Sequence, residues 1–290
     1  MPETKFCEKI PSFPTTRNEY ESVPMLSAVT LHYPTVGGEM PLDLWRPDGP
    51  ASLWKGLIIY AHGGGFSHGR RRDNCAEALA QRVTEEGYLL ATIDYRLKGQ
   101  PATMWTDAQK NKIEAEQQRT QRMGLRINPQ YCGPWFYAAV EDFGAALAFL
   151  KSPSTGFDLT GLPVLAMGAS AGGIAALSLL YSPAGWEHLP RPDAALGICA
   201  AMVQPWRLGV SKNVPAMLIH GPKDGVIPPN NARVLVRKAQ EKGVALSAHF
   251  TNVDGHRQQV EEYLNGRDPE GVEWWRRSLN LLNKSQNSDQ

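Results

Sequence analysis

The sequence predicts a single α/β domain in which helices cover both faces of a mostly parallel central sheet. Three observations carry this reading. Short runs apolar at consecutive positions, such as Gly56-Leu57-Ile58-Ile59-Tyr60-Ala61, suit strands buried on both faces. These runs alternate with segments of helical spacing. Several of them end in turns that carry glycine, serine, aspartate or histidine, and such sheets keep their sites at the carboxyl ends of their strands.

Taken in order, the first 25 residues are polar and proline-bearing and are expected as a surface arm. Residues 26–33 and 41–46 alternate apolar and polar side chains around Gly37-Gly38, the pattern of a β-hairpin at a sheet edge. After the buried strand at 56–61, residues 73–87 have helical spacing (Ala76, Leu79, Ala80, Val83) and a closing glycine, and residues 88–95 read as the fourth strand. A helix is expected at 138–151 and a strand at 162–167. Strands at 194–202 and 214–220, a helix at 230–242, a strand at 245–251 and closing helices at 258–264 and 272–282 complete the chain. No repeat or linker divides the 290 residues, so the whole chain is read as one domain.

Residues 97–137 break this rhythm, because they exceed what a crossover loop needs. Their middle, 105–126, favours helix but is mostly polar, and they end in Pro134-Trp135-Phe136-Tyr137. Leaving the carboxyl end of the fourth strand, this insertion reads as a partial cap over a site on that edge. A plain surface arm and a self-association element are the alternatives.

Composition excludes more than it selects. Thirty Lys+Arg against 29 Asp+Glu give no field that would favour nucleic acid or an anionic membrane, and no run approaches a membrane span. The four cysteines are scattered without ligand spacing, which suits buried thiols and predicts no metal site. No apolar signal core follows Met1, so a reducing, cytoplasmic setting is expected.

The chemistry centres on Gly168-Ala169-Ser170-Ala171-Gly172, between an apolar run and the buried helical pattern from Gly173 to Leu180. A serine at the tip of a strand-to-helix turn is exposed as a nucleophile, and the helix N-terminus behind it aims N–H groups at an oxyanion. By itself the stretch could be a Gly/Ala-rich turn with an incidental serine. A second motif, His62-Gly63-Gly64-Gly65-Phe66, follows the buried strand; consecutive glycines let backbone amides face a pocket. Gly64, Gly65 and Ala171 are the expected oxyanion donors, with His62 supporting the loop. A phosphate cradle would need glycine patterns that are absent.

A serine needs a base, and the base needs an acid to hold its tautomer. Asp224 stands in a tight turn after the strand at 214–220, and His256 on the loop after the strand at 245–251, so Ser170, Asp224 and His256 can converge on one edge. Asp254 lies too close to His256 in sequence to orient it and reads as a solvated loop carboxylate. His32, His68, His188, His220 and His249 read as structural or surface residues, His220 anchoring the Asp224 turn.

Together, His62-Gly63-Gly64-Gly65, Asp94-Tyr95-Arg96-Leu97, Gly168-Ala169-Ser170-Ala171-Gly172-Gly173, His220-Gly221-x-x-Asp224 and Gly255-His256 resemble the α/β-hydrolase superfamily in the region of its esterase and lipase members. The resemblance implies an α/β-hydrolase fold, Ser170 as nucleophile, Asp224 as acid, His256 as base, and an oxyanion hole at Gly64, Gly65 and Ala171, with Asp94 and Arg96 mainly structural. It implies no cofactor and a small-molecule ester substrate, with a homo-oligomer open. Ala169 and Lys98-Gly99-Gln100 depart from the hormone-sensitive-lipase-like pattern, and the chain looks closer to the acetyl-esterase and feruloyl-esterase-like branch, acting on short acyl esters of small molecules or sugars. The short stretch at 203–213 leaves little room for the cap usual between the sixth and seventh strands, which argues against a long lipid tunnel. An amide hydrolase, such as an arylformamidase or small peptidase, would use the same triad, and a non-catalytic binding protein would be expected to have lost part of it. Phe66, Trp105, Trp135, Phe136 and Trp206 are the aromatic candidates for the pocket.

Overall fold

The computed structural model describes residues 27–100, 105–210 and 213–286. The expected arm at 1–25, and residues 101–104 of the insertion, lie outside the described residues. One eight-stranded sheet organises the described chain. Strands β1 (Val29–Thr35) and β2 (Gly38–Trp45) form the edge hairpin, and β2 runs antiparallel to β4 (Tyr88–Ile93). The others, β3 (Gly56–Ala61), β5 (Val164–Ala169), β6 (Ala194–Ile198), β7 (Ala216–His220) and β8 (Leu246–Phe250), are parallel to β4 and to one another. Their spatial order is β1-β2-β4-β3-β5-β6-β7-β8.

Successive side chains on a strand enter opposite layers, which explains the unbroken apolar runs. Leu57, Ile59 and Ala61 of β3 join a core with the helices α2 (Asp107–Arg122), α3 (Pro134–Leu150), α4 (Ala171–Tyr181) and α5 (Asn230–Lys242). Ile58 and Tyr60 join the opposite core, with α1 (Asn74–Glu85), α6 (Gln258–Asn265) and α7 (Trp274–Gln286). Burial on both faces removes any need for polar alternation.

The strand order places the loops after β3 and β5 side by side, because β4 lies on one flank of β3 and β5 on the other. That reversal opens a crevice at the carboxyl edge, where sheets of this kind take ligands.

Two expectations are corrected. Pro134-Trp135-Phe136-Tyr137 is the first turn of α3 rather than the tail of the insertion: Gly133 is the N-cap, and a proline at the first helical position loses no bond it could have made. The sixth strand stops at Ile198, four residues short of the apolar run, because Cys199 turns to φ 42° while its N–H still donates to Ile219 O at 2.8 Å.

Candidate active site

Ser170 sits between the last residue of β5 and the first of α4, with φ 52° and ψ −118°. That conformation is strained for a residue with a Cβ, and it lifts the side chain off the end of the sheet. Two bonds hold it: Ser170 N–H donates to Ile198 O at 2.8 Å, and its carbonyl accepts from Ile174 N–H at 2.9 Å. The flanking glycines serve contact. A Cβ on Gly172 would stand 2.0 Å from Ala61 O, so only glycine lets α4 approach the end of β3.

Asp224 lies in the turn after β7, with its carboxylate buried. One oxygen, Oδ1, accepts from the N–H groups of Val226 and Ile227 at 2.8 and 2.9 Å, and Oδ2 accepts from His256 Nδ1 at 2.7 Å. Burial raises the pKa of the carboxyl, but the His256 bond and those backbone donors outweigh it and hold the group below the ordinary carboxylate range. The turn is pinned from beneath by buried His220, whose Nε2 donates to Ile227 O at 2.8 Å; burial lowers the pKa of this imidazole and keeps it neutral.

His256 follows β8 on a loop fastened by a residue that sequence reasoning missed. Gln259, fully buried, accepts from Thr251 Oγ1 at 2.7 Å and donates from Nε2 to the carbonyls of Val253 and Gly255 at 2.6 and 3.0 Å. With Nδ1–H committed to Asp224, His256 Nε2 is left to accept from Ser170 Oγ, 2.9 Å away. The three residues, from three strand ends, thus form one hydrogen-bonded line. Asp254, by contrast, is exposed and paired with Lys223 at 2.8 Å.

The glycine loop borders this line. A Cβ on Gly63 would stand 3.5 Å from Ser170 Cβ. Gly64 (φ 115°) and Gly65 (φ 62°) adopt conformations that favour glycine, and a Cβ on Gly64 would strike His68 O at 1.9 Å. Beneath the loop, buried His62 donates from Nδ1 to Gly63 O at 2.6 Å and stacks on Tyr95, whose hydroxyl donates to His62 O at 2.8 Å. Burial lowers the pKa of His62, which holds it neutral as a strut. A charged brace continues outward: Arg71 reaches both Asp94 and Asp43 at 2.8 Å, and Arg72 reaches Asp43 at 2.6 Å. Arg96 is buried against Asp142 and Glu141 at 2.7 and 2.9 Å.

The aromatic candidates are redistributed. Phe66 and Phe136 are 1% and 0% exposed and pack edge-on to each other in the core beneath the loop, so they offer a ligand almost no surface. Trp105 donates to Glu141 at 2.9 Å and sits edge-on to Trp186, while Trp135 is half-buried against the core and Trp206 lies under the Arg119 guanidinium. The aromatic residue that the insertion does bring to the glycine loop is Tyr131, whose ring comes within 3.2 Å of the point a Gly65 Cβ would occupy. Its position follows from the 3₁₀ turn Pro129–Cys132, which has no hydrophobic period to announce it. A recess of about 440 Å³ opens elsewhere, between Val36 at the hairpin tip, Ala145 on α3 and Leu189, and no triad residue lines it.

No protein-family profile and no curated protein sequence matches the chain. Solved structures do. The propionate-bound esterase Est2 of the planctomycete Thermogutta terrifontis superposes with a TM-score of 0.59 at 16% identity, over 92% of this chain and 96% of that one. The same organism's esterase 2 phosphorylated by paraoxon gives 0.57 at 16%, over 89% and 92%. One of two fungal esterases from Rhizomucor miehei gives 0.58 at 13%, over 90% and 83%. The chain has the α/β-hydrolase fold.

Proposed function

We propose, from the premise of that fold, that the protein is a serine hydrolase of carboxylic esters, with short acyl esters of small molecules or sugars as its substrates, working in a reducing, cytoplasmic setting. The observation that supports this best is the line Ser170 Oγ, His256 Nε2, His256 Nδ1, Asp224 Oδ2, with bonds of 2.9 and 2.7 Å. In the reaction Ser170 Oγ attacks the ester carbonyl while His256 takes its proton, and Asp224 stabilises the imidazolium. The carbonyl oxygen gains charge and rests on the N–H groups of Gly64, Gly65 and Ala171, the last freed by its place at the start of α4. His256 next protonates the leaving alcohol, then activates water to release the acyl group. Besides the ester and one water molecule, these steps use groups of the chain alone.

A short acyl group fits the surroundings. Among its described residues the β6–β7 connection holds a single 3₁₀ turn, Pro205–Arg207, where a lipid-binding cap would need whole helices. Against the glycine loop the insertion contributes Tyr131 and Gln130.

Hydrolysis of p-nitrophenyl esters from acetate to long acyl chains, beside matched anilides, tests the reading. Turnover of the short esters that disappears in Ser170→Ala supports it. Turnover of the anilides in preference to the esters replaces it with an amide hydrolase, and no turnover of either removes the enzymatic reading.

A further inference from the structure

The turn after β6 brings a thiol to the triad that the reaction above does not use. Cys199 is 1% exposed, and its positive φ directs Sγ to within 3.9 Å of His256 Nε2. The other two described cysteines, Cys75 and Cys132, are also buried and unbridged. Among the described residues, Cys199, Asp224 and His256 are the group whose thiol, carboxylate and imidazole atoms fall within 4.8 Å of one another.

We propose that Cys199 Sγ, His256 Nε2 and Ser170 Oγ form an inhibitory site for a thiophilic divalent cation of the Zn²⁺ class. Zinc–sulfur and zinc–nitrogen bonds of about 2.3 and 2.0 Å set the two donor atoms roughly 3.6 Å apart around a tetrahedral ion. The observed 3.9 Å closes to that with a movement of a few tenths of an ångström. Ser170 Oγ, 2.9 Å from Nε2, is the third donor of the proposed set. The fourth corner is left to water from the half-open crevice in which Ser170 and His256 are partly exposed. Asp224 keeps its bond to Nδ1–H, the outer carboxylate that orients a metal-bound imidazole.

The balance is simple. The cation takes the Nε2 lone pair that otherwise receives the Ser170 proton, the Cys199 thiol releases its proton to solvent, and no electrons are transferred. Base and nucleophile are both occupied, so the bound enzyme is silent until a chelator removes the ion. Thiolate and imidazole donors select Zn²⁺, Cd²⁺ or Co²⁺ over Mg²⁺ and Ca²⁺, which prefer oxygen.

The inhibition part of this inference rests on the esterase reading; the binding part does not. Zn²⁺ alone is titrated calorimetrically into wild type, Cys199→Ala and His256→Ala, and Co²⁺ is added as a spectroscopic probe. Saturable Zn²⁺ binding that weakens about tenfold or more in each variant, with a thiolate-to-cobalt charge-transfer band that Cys199→Ala lacks, is the expected result. Should the alanine variant unfold, the near-isosteric Cys199→Ser carries the same comparison. Ester hydrolysis is followed in parallel, each protein against its own metal-free rate. Wild type should be inhibited by Zn²⁺ and restored by EDTA, and the Cys199 variant should need at least about tenfold more Zn²⁺. Absence of Zn²⁺ binding by wild type, or equal binding by the Cys199 variant, overturns the site. A wild type that binds Zn²⁺ through Cys199 but cleaves no ester overturns the esterase reading and leaves the cation site standing.

Discussion

The carboxyl edge of the sheet and the insertion after β4 meet at the glycine loop, yet different forces hold them. The edge is fixed by apolar packing and by close backbone approach: β5 and β6 are fully buried, and Gly172 lies against Ala61 without room for a methyl group. The insertion buries a few apolar side chains, Ile113, Leu125 and Cys132, and is tied down besides by single polar contacts. Thr120 donates to Val203 O at 2.9 Å, Asn231 of α5 holds both the N–H and the carbonyl of Arg126 at 3.0 and 2.9 Å, and Gln117 donates to Pro129 O at 2.8 Å. Ile113 is the sole apolar side chain that α2 buries. The lesson is that the line of Ser170, His256 and Asp224 belongs to the core and should fail as a unit, whereas the insertion can be loosened bond by bond.

Ser170→Ala strikes the line most directly. Esterase turnover should fall on the order of 10⁶-fold with the melting temperature nearly unchanged, and retained turnover would remove Ser170 from the chemistry. Asp224→Asn should cost about 10⁴-fold in kcat, because the amide no longer fixes the His256 tautomer.

Gln259→Leu asks whether the edge is coupled beyond the triad. It removes the bonds that shape the His256 loop, so kcat should drop about 10²-fold with little change in KM, and stability should fall by about 2 kcal/mol. A normal kcat there would show that the loop keeps its shape unaided. The insertion provides the opposite case. Thr120→Val should lower stability by about 1 kcal/mol in urea titration and leave kcat for p-nitrophenyl acetate within about twofold. A loss as large as that of the Gln259 variant would erase the distinction drawn between the two regions.

Acid probes the sheet rather than the insertion. Asp224 and Asp43 both have carboxyl pKa values lowered in the folded protein. At Asp43, burial raises the value, and hydrogen bonds from Arg72 and Thr30 and the charges of Arg71 and Arg72 outweigh that effect. The stability these carboxylates contribute is therefore complete above the unfolded value of about 3.9 and is lost as pH falls through their lower folded values. Buried His62 and His220, whose pKa values are lowered, start the loss earlier: denaturation midpoints should decline once pH falls below the unfolded histidine value of about 6.5 and decline further below about pH 4, and Asp43→Asn should flatten the second step only.

What the sequence made legible follows the same division. The strands, the Ser170 turn and the α5 limits at Asn230 and Lys242 all register in local pattern, because burial on both faces and helical spacing leave periodic marks. Ser170, Asp224 and His256 could be named because each ends or follows a patterned strand. Gln259 could not: on an amphipathic helix a glutamine reads as surface, and only the fold turns it inward under the loop. Tyr131 was hidden for a related reason, since a 3₁₀ turn between a polar helix and a glycine has no period. Phe66 follows the glycine motif directly in sequence, yet at φ 59° its side chain is buried in the core, which local pattern does not announce.

The backbone at Ser170 has one more implication. A left-handed φ on a residue with a Cβ costs on the order of 1–3 kcal/mol, a sizeable share of what keeps a domain folded. If Ser170 is the nucleophile, selection for catalysis works against heat resistance at this single position. In a duplicated descendant released from turnover, glycine at 170 would be favoured on stability alone, so the residue found there would record whether a lineage still uses its chemistry.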